Sequence, residues 1–352
     1  MRFLFDMGHP AHVHLFKNTI NKLKKDGHEI KITARDKEVT QALLAAYGFE
    51  YEDRGKIFTG ILNKAFGMIR IDLKLIVIAK KFKPDLLIGV SNPYVAHVGT
   101  VLRKPVIIFH DTENVPMARF YIYPFVQAIL TPIYFREPLD PKKHIKIQGF
   151  KEIAYLHPKY FSPDPHVLKE LGLLPDERFI IVRFVSWDAT HDIGQQGISD
   201  KIGVIKTLEN YGRVILSSEG DTPSEMKKYL MNGSPEKMHD LLSYASLYIG
   251  EGATMATEAA VLGTPSIFVS SLAGRFGNLI ELEERYHLLY SFTDANRALK
   301  KAVDILENSK SKEDWVVKRE RLLKEKIDVT AFMVWFIENY PGSLTDYGRK
   351  DV

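Results

Sequence analysis

The segment with the most chemistry in it is Tyr248-Ile249-Gly250-Glu251-Gly252-Ala253-Thr254-Met255-Ala256-Thr257-Glu258-Ala259-Ala260-Val261-Leu262-Gly263-Thr264-Pro265. An apolar strand ends at Gly250, small residues turn the chain, and a helix opens near Thr254. In an open α/β sheet this sets a helix N-terminus at the carboxyl end of a strand, where free N–H groups and the helix dipole suit a phosphate. Gly252 and Ala253 let a diphosphate approach the backbone, and the Thr254 hydroxyl adds a donor. Glu258 lies one helical turn beyond Thr254 on the same face, where a carboxylate can accept from both hydroxyls of a ribose. The competing description is an ordinary helix with a solvated Glu258 and a Gly-Thr-Pro stop.

Two further clusters follow apolar runs in the first half. Met7-Gly8-His9-Pro10-Ala11-His12-Val13-His14 is a glycine turn with three histidines opening a helix, and Phe109-His110-Asp111-Thr112-Glu113-Asn114-Val115-Pro116 follows a second strand. Ser91-Asn92-Pro93-Tyr94 ends a third. A neutral imidazole at a helix N-terminus keeps a lowered pKa and can take a proton from a hydroxyl, which makes His12 a candidate base. His9 and His14 read as capping or packing groups. Zinc is not expected, because the chain has no cysteine and Asp6 is the one carboxylate near the histidines in sequence.

These clusters need a scaffold of strands and helices in alternation, and the chain supplies it. Strands are predicted at 2–5, 29–33, 86–90, 106–109 and 128–131, with helices at 12–25, 37–46 and 95–102 between them. Prolines 138, 141, 158, 163 and 165 break the pattern, which places a domain junction there. Strands at 179–184, 214–217, 247–250 and 266–269 then alternate with helices at 200–210, 235–243, 254–262 and 297–307. Nearly all the strands are apolar throughout, as in a parallel sheet covered on both faces. The expected organisation is an α/β chain with a Rossmann-like domain at 1–155, a second at 165–328, and an aromatic C-terminal helix within 329–352 that closes its own domain or packs back on the first.

Composition agrees. At 352 residues the chain exceeds the roughly 150 typical of one domain. Hydrophobic residues make up 45% and charged ones 26%, which excludes a disordered chain. A net charge of +4 is too small for this length to argue for nucleic acid, and none is expected as a partner. The absence of cysteine fits a reducing compartment, and neither a secretory leader nor a spanning segment is read, so the expected location is cytoplasmic. The positive charge concentrates between Lys56 and Lys83, where lysines and Arg70 interleave with Ile, Leu, Phe and Met. Such a basic amphipathic surface can lie on anionic lipid at the inner face of a membrane, or be a core-facing helix with solvated lysines.

The 248–265 segment resembles the donor-nucleotide motif of GT-B glycosyltransferases, above all the N-acetylglucosaminyl transferase that forms lipid II. The resemblance gives the phosphate role to Gly252, Ala253 and Thr254 and the ribose role to Glu258, and Ser234-Pro235-Glu236-Lys237-Met238 matches the segment whose backbone reads the base. The 7–16 loop resembles the same family's first loop, a Gly-rich turn followed by His, with His12 at the matching place and Gly8 and His9 as acceptor-side candidates. Pro10 and Ala11 stand where that family has glycines, which argues against close phosphate contact by this loop. Residues 109–116 resemble its strand-end motif of His, acidic residue, polar residue, Asn and Val-Pro, so Asp111, Glu113 and Asn114 fall on the acceptor side, with Tyr94 beside them. Glu113 thereby rivals His12 as the base, and the sequence leaves both open.

The loop from Arg183 to Gly194 departs from that family, being poor in glycine. It is similar instead to the His-Arg-containing loop of the non-hydrolysing UDP-N-acetylglucosamine 2-epimerases, and Arg183 and Ser186 are candidates for the donor phosphates. Arg275, Asn278 and Glu281 follow the 266–269 strand and are expected to face the donor sugar.

Element order along the whole chain is similar to a family of predicted glycosyltransferases. The resemblance implies a GT-B-like fold of two doubly wound Rossmann-like domains facing across a cleft. It implies metal-independent, inverting transfer from a nucleotide-diphosphate sugar, UDP-linked, to a hydroxyl of a glycan or lipid-linked acceptor, with no further cofactor. An epimerase acting on the nucleotide sugar alone, and a non-catalytic nucleotide-sugar-binding protein, are the alternatives.

Overall fold

A computed structural model describes residues 1–35, 38–55, 61–113, 115, 117–174, 176–185, 197–218 and 222–348. The chain divides into two compact units, Met1–Tyr155 with Asp328–Val352, and Leu156–Ile327.

Unit 1 is built on a parallel sheet of β1 (Arg2–Met7), β2 (Glu29–Ala34), β3 (Glu52–Asp53), β4 (Leu86–Val90), β5 (Val106–Phe109), β6 (Ala128–Pro132) and β7 (His144–Ile147), in the order β3-β2-β1-β4-β5-β6-β7. β1, β4, β5 and β6 are buried along essentially their whole length, as apolar strands covered on both faces must be. The chain lays β1 to β3 outward in one direction and returns at β4 to build the other side. The sheet's order therefore reverses between β1 and β4, and the crevice at their carboxyl ends is where such sheets bind ligands.

Two helices start at that crevice. Pro10–Lys25 is capped by His9, whose Nδ1 accepts from the Ala11 amide at 3.2 Å, with Pro10 in the first position where its missing N–H costs nothing. Pro93–Leu102 is capped in the same manner by Asn92, whose Oδ1 accepts from the Tyr94 amide at 2.9 Å. The aromatic helix Val329–Glu338 belongs to this unit, where it packs on Pro10–Lys25 and Thr330 Oγ1 donates to the Ala154 carbonyl at 2.7 Å.

Unit 2 carries a parallel sheet of β8 (Phe179–Phe184), β9 (Arg213–Ser218), β10 (Leu247–Gly250), β11 (Ser266–Val269) and β12 (Leu289–Phe292), in the order β12-β11-β10-β8-β9. Its reversal falls between β8 and β10. The helix Ala253–Leu262 follows β10 and is buried from Ala256 onward, which explains its run of alanines, and it stops at Gly263 in the left-handed region at φ 84°.

Several elements lie outside the sequence expectation, β12 and the helix Gly277–Glu284 among them. β7 lies inside the proline-broken stretch, too short at four residues for alternation to show. Residues 61–82, within the basic stretch for which a helix is one of the two readings, form a single helix of 22 residues. Ser311–Glu325 is a helix although it buries only Ser311, Trp315 and Leu322 and so lacks an apolar stripe.

The close approach of β10 to β8 depends on Gly250. A Cβ there would stand 2.7 Å from the Arg183 carbonyl and 2.7 Å from the Tyr248 hydroxyl. Gly250→Ala is therefore expected to lower stability by about 1–3 kcal/mol through overpacking, read as a lower urea midpoint; an unchanged midpoint would show that β10 has room beside β8.

Candidate functional site

In unit 2 the helix Ala253–Leu262 opens at the carboxyl end of β10 with Gly252 as its cap residue, and no side chain caps it. Its first-turn N–H groups are left to solvent or a ligand. Arg183 comes off the carboxyl end of β8 beside this turn. A Cβ on Gly252 would be 3.6 Å from Arg183 Nε, and Arg183 Nη1 donates to Ser217 Oγ on β9 at 2.5 Å. Gly252, Ala253, Thr254 and Arg183 are thus brought together at the order reversal of the sheet. A helix N-terminus with an adjacent guanidinium supplies the kind of donors a phosphate accepts from.

Glu251 and Glu258 are the two acidic residues of the 248–265 segment. Glu251 is buried, and its two oxygens accept from the Val185 amide at 2.9 Å and the Ile198 amide at 2.7 Å, so one carboxylate ties down both flanks of residues 186–196. Glu258 is buried too, not solvated, with Oε1 3.0 Å from His239 Nε2. Met238 begins the helix Met238–Tyr244 that carries His239 and is itself buried. Asn278 is the second residue of the helix Gly277–Glu284, and Arg275 is exposed in the preceding turn. Glu281 corrects the expectation that it faces a sugar: it is 1% exposed and ion-paired with the buried Lys326. Burial raises its pKa, with Lys326 opposing. Ser186 lies outside the described residues.

In unit 1 the three histidines do different things. His9 caps the helix, and His14 stacks on Tyr155 with ring centroids 5.4 Å apart and Nδ1 3.1 Å from the Tyr47 hydroxyl. His12 Nδ1 accepts from the Gly8 amide at 3.2 Å. Burial first, then the charges of His9, Lys151 and Arg54, hold His12 well below the ordinary imidazole pKa. The ring is neutral at pH 7, and with Nδ1 accepting, its proton sits on Nε2. In this arrangement His12 presents a donor.

Beside it, Asp111 is ion-paired with Lys151. Burial works to raise the Asp111 carboxyl, and the Lys151 ammonium outweighs it and brings the group below its usual value. A space of about 20 Å³, room for one water, lies there, lined in part by Asp111, Thr131, Phe150 and Lys151. Glu113 is buried at the end of the same strand connection, and Asn114 lies outside the described residues. Tyr94 follows Asn92 at the end of β4 and carries the Arg54 guanidinium over its ring, 4.5 Å from the centroid.

The sequence reading missed two groups in this unit. One is a relay in which Ser91 hydrogen-bonds His110 Nδ1 and the Tyr123 hydroxyl lies 2.6 Å from His110 Nε2; Ser91 holds a left-handed φ of 42°. The other is the set Asp6, Thr33, Arg54 and Asn92, whose members are up to 86 positions apart and carry no local signal. Among the described residues no group of three or more His, Asp or Glu is placed to hold a metal.

Comparison with known proteins gives the following. A family model described as a protein of unknown function, DUF354, matches residues 1–334. An uncharacterized protein of Methanocaldococcus jannaschii is 25% identical over 296 residues, 80% of this chain and 86% of its own length. The solved structure of a putative UDP-N-acetylglucosamine 2-epimerase from Listeria monocytogenes is similar with a TM-score of 0.66 at 13% identity, covering 90% of each chain. The M. jannaschii UDP-GlcNAc 2-epimerase in complex with UDP-GlcNAc and UDP gives 0.65 at 14%, over 91% of this chain and 99% of that one. The Streptomyces glycosyltransferase SsfS6 gives 0.61 at 13%, over 96% and 100%. At these identities the likeness establishes a GT-B-like fold, which transferases and epimerases share.

The relay yields a pH dependence. Burial, with His144 adding to it and Asp111 opposing, lowers His110 from 6.5 to about 4. Between those values the unfolded chain binds a proton that the folded chain does not, so stability falls as pH falls from 6.5 to 4, by about 3 kcal/mol from this group at the foot of the window. Above 6.5 the group contributes no slope. In urea unfolding followed from pH 7 to 4, His110→Gln is expected to start less stable and to lose this share of the slope; an identical slope would mean that His110 is not held neutral.

Proposed function

The chain belongs to the DUF354 family of proteins of unknown function, and within it we propose that this member is a glycosyltransferase using a nucleotide-diphosphate sugar. The observation that carries this is the uncapped N-terminus of the helix Ala253–Leu262 with the Arg183 guanidinium beside its Gly252 turn. It supports a diphosphate held by the amides of the turn, Thr254 and Arg183, where the same groups stabilise the charge that develops on the leaving nucleotide. Two of the structural neighbours are described as bound to UDP-GlcNAc, which favours uridine as the base. Glu258, fixed by His239, is the carboxylate for the ribose.

An acceptor hydroxyl must lose a proton, and inversion asks for one base. His12 offers Nε2–H while the Gly8 amide occupies Nδ1, so it orients the acceptor by donation, and Glu113 takes the proton. Asp111, Gly8, His9, Tyr94 and Asn114 complete the acceptor side in this reading. No metal enters the reaction.

The helix Ile61–Phe82 supports a place for the reaction. Phe66, Ile69, Leu73 and Val77 recur at helical spacing and are 59–79% exposed, while Ile71, Leu75, Ile78 and Ala79 face the core. Arg70, Lys74, Lys80 and Lys81 rim the exposed stripe. Asp72, an acid on this helix, is turned to His97 at 2.9 Å. An apolar stripe with a basic rim fits an anionic lipid surface, where a lipid-linked acceptor would be found. Among the described residues no helix is long and apolar enough to cross a membrane.

Thermal unfolding with a panel of nucleotide diphosphates and nucleotide sugars tests the donor site. A cognate ligand at hundredfold excess over Kd is expected to stabilise by about 2–3 kcal/mol, and Arg183→Gln and Glu258→Gln to lose most of that gain. If no member stabilises, the nucleotide-sugar reading fails. A nucleotide sugar that interconverts with its epimer when incubated alone makes the chain an epimerase instead. Flotation with phosphatidylglycerol-containing vesicles tests the surface: binding is expected there and not on phosphatidylcholine alone, with Phe66→Ser/Leu73→Ser abolishing it. Equal behaviour of the double variant would remove the helix from any membrane role.

A further inference from the structure

Among the described residues, the carboxyl edge of the unit 1 sheet holds more cationic hydrogen-bond donors than it satisfies. Arg54, just after β3, is 3% exposed. Its Nε lies 2.9 Å from Asp6 Oδ1 and its plane covers Tyr94, while Nη1 has no hydrogen-bond partner among the described residues. Arg35, just after β2, likewise buries an Nε that has no partner among the described residues. The two guanidiniums feel each other: after burial, Arg54 is the largest influence lowering the Arg35 pKa. Asp6 does not neutralise both, since its oxygens already serve Thr33 at 2.6 Å, Arg54 and Asn92. Two like charges with unmet buried N–H groups are costly unless an acceptor meets those groups.

What surrounds them favours an anion. A Cβ on Gly8 would stand 3.0 Å from Arg54 Nη2, so this guanidinium is set against the turn that opens the helix Pro10–Lys25. That helix has 16 residues and no acid in its first turn. Its backbone donors are already used at this end, because Pro10 has none, the Ala11 amide goes to His9 and the His12 amide to the His9 carbonyl. The helix therefore contributes its field, while hydrogen bonds must come from side chains. Arg54, Arg35 and the His12 Nε2–H are those side chains.

We propose that Arg54 and Arg35, with His12 Nε2–H, form a phosphate-binding site at the carboxyl end of β1 and β2, and that the acceptor is a phosphate-bearing molecule. Two guanidiniums and a positive helix end match a dianion better than a single carboxylate, and the forked donors suit its several oxygens. The site itself stands without the glycosyltransferase reading; only its assignment to the acceptor rests on that reading.

The test is titration of inorganic phosphate into the full chain, followed by calorimetry and by the His12 ring resonances, in wild type, Arg35→Gln, Arg54→Lys and Arg183→Gln. Arg54→Lys keeps a charge opposite Asp6, and Arg35→Gln removes a side chain that carries no ion pair among the described residues, so folding is preserved in at least one. The expected result is saturable binding that shifts His12, weakens at least tenfold in Arg35→Gln and Arg54→Lys, and persists in Arg183→Gln. Binding that ignores the first two variants, binding lost only in Arg183→Gln, or no binding overturns the proposal. Failure of the donor reading has a different signature, absence of nucleotide stabilisation with phosphate binding intact. Decyl phosphate then separates the sources: affinity tenfold or more above inorganic phosphate supports a lipid-linked phosphate, and equal affinity supports a water-soluble one.

Discussion

A carboxylate with no exposed surface governs the first unit. Asp6 sits near the carboxyl end of β1, and an ionised group there persists only if paired and fully hydrogen-bonded. Its partners come from three separate segments: Thr33 from β2, Arg54 from the chain after β3, and Asn92 from the turn after β4. Meeting the demand of one buried charge therefore fixes three chain segments around the point where the strand order reverses. Asn92 also caps the next helix through its other polar atom, which sets Tyr94 under the Arg54 guanidinium. The arrangement is built outward from Asp6, and the histidine turn that follows β1 inherits its position from it.

Unit 2 meets the same difficulty with shorter reach. Glu251 satisfies its two oxygens on backbone amides from either side of residues 186–196, and so holds the end of β8, with Arg183 on it, against the turn after β10. Glu258 pairs with His239, and Glu281 with Lys326. Each buried acid joins two elements, which divides carboxylates that hold the scaffold from those that face solvent.

This division explains what was legible beforehand. Apolar runs alternating with helical patterns gave the strands and the parallel architecture, because burial on both faces writes itself into contiguous residues such as those of β1, β5 and β10. The turn at 250–254 was legible for the same local reason. β7 and the charged helix Ser311–Glu325 were not, since neither carries a stripe or a long enough run. Arg54 was invisible because its meaning lies in a partner 48 positions earlier and in Asn92 beyond, a conjunction no window contains. Glu281 was misread because sequence position alone does not say whether a carboxylate near a strand end points to solvent or to a lysine 45 positions on.

In the proposed reading the two units bind anions differently, and the difference follows from their first helical turns. At Gly252-Ala253-Thr254 nothing caps the helix, so the backbone itself is the donor and a single arginine suffices beside it. At His9-Pro10-Ala11 the cap is filled by a side chain and the first position has no N–H, so the backbone has little left to give. A unit whose helix end is closed in this way can hold an anion only by importing charge from elsewhere in the sheet. Arg54 and Arg35, brought to the reversal point by Asp6 and by the ends of β2 and β3, are that imported charge.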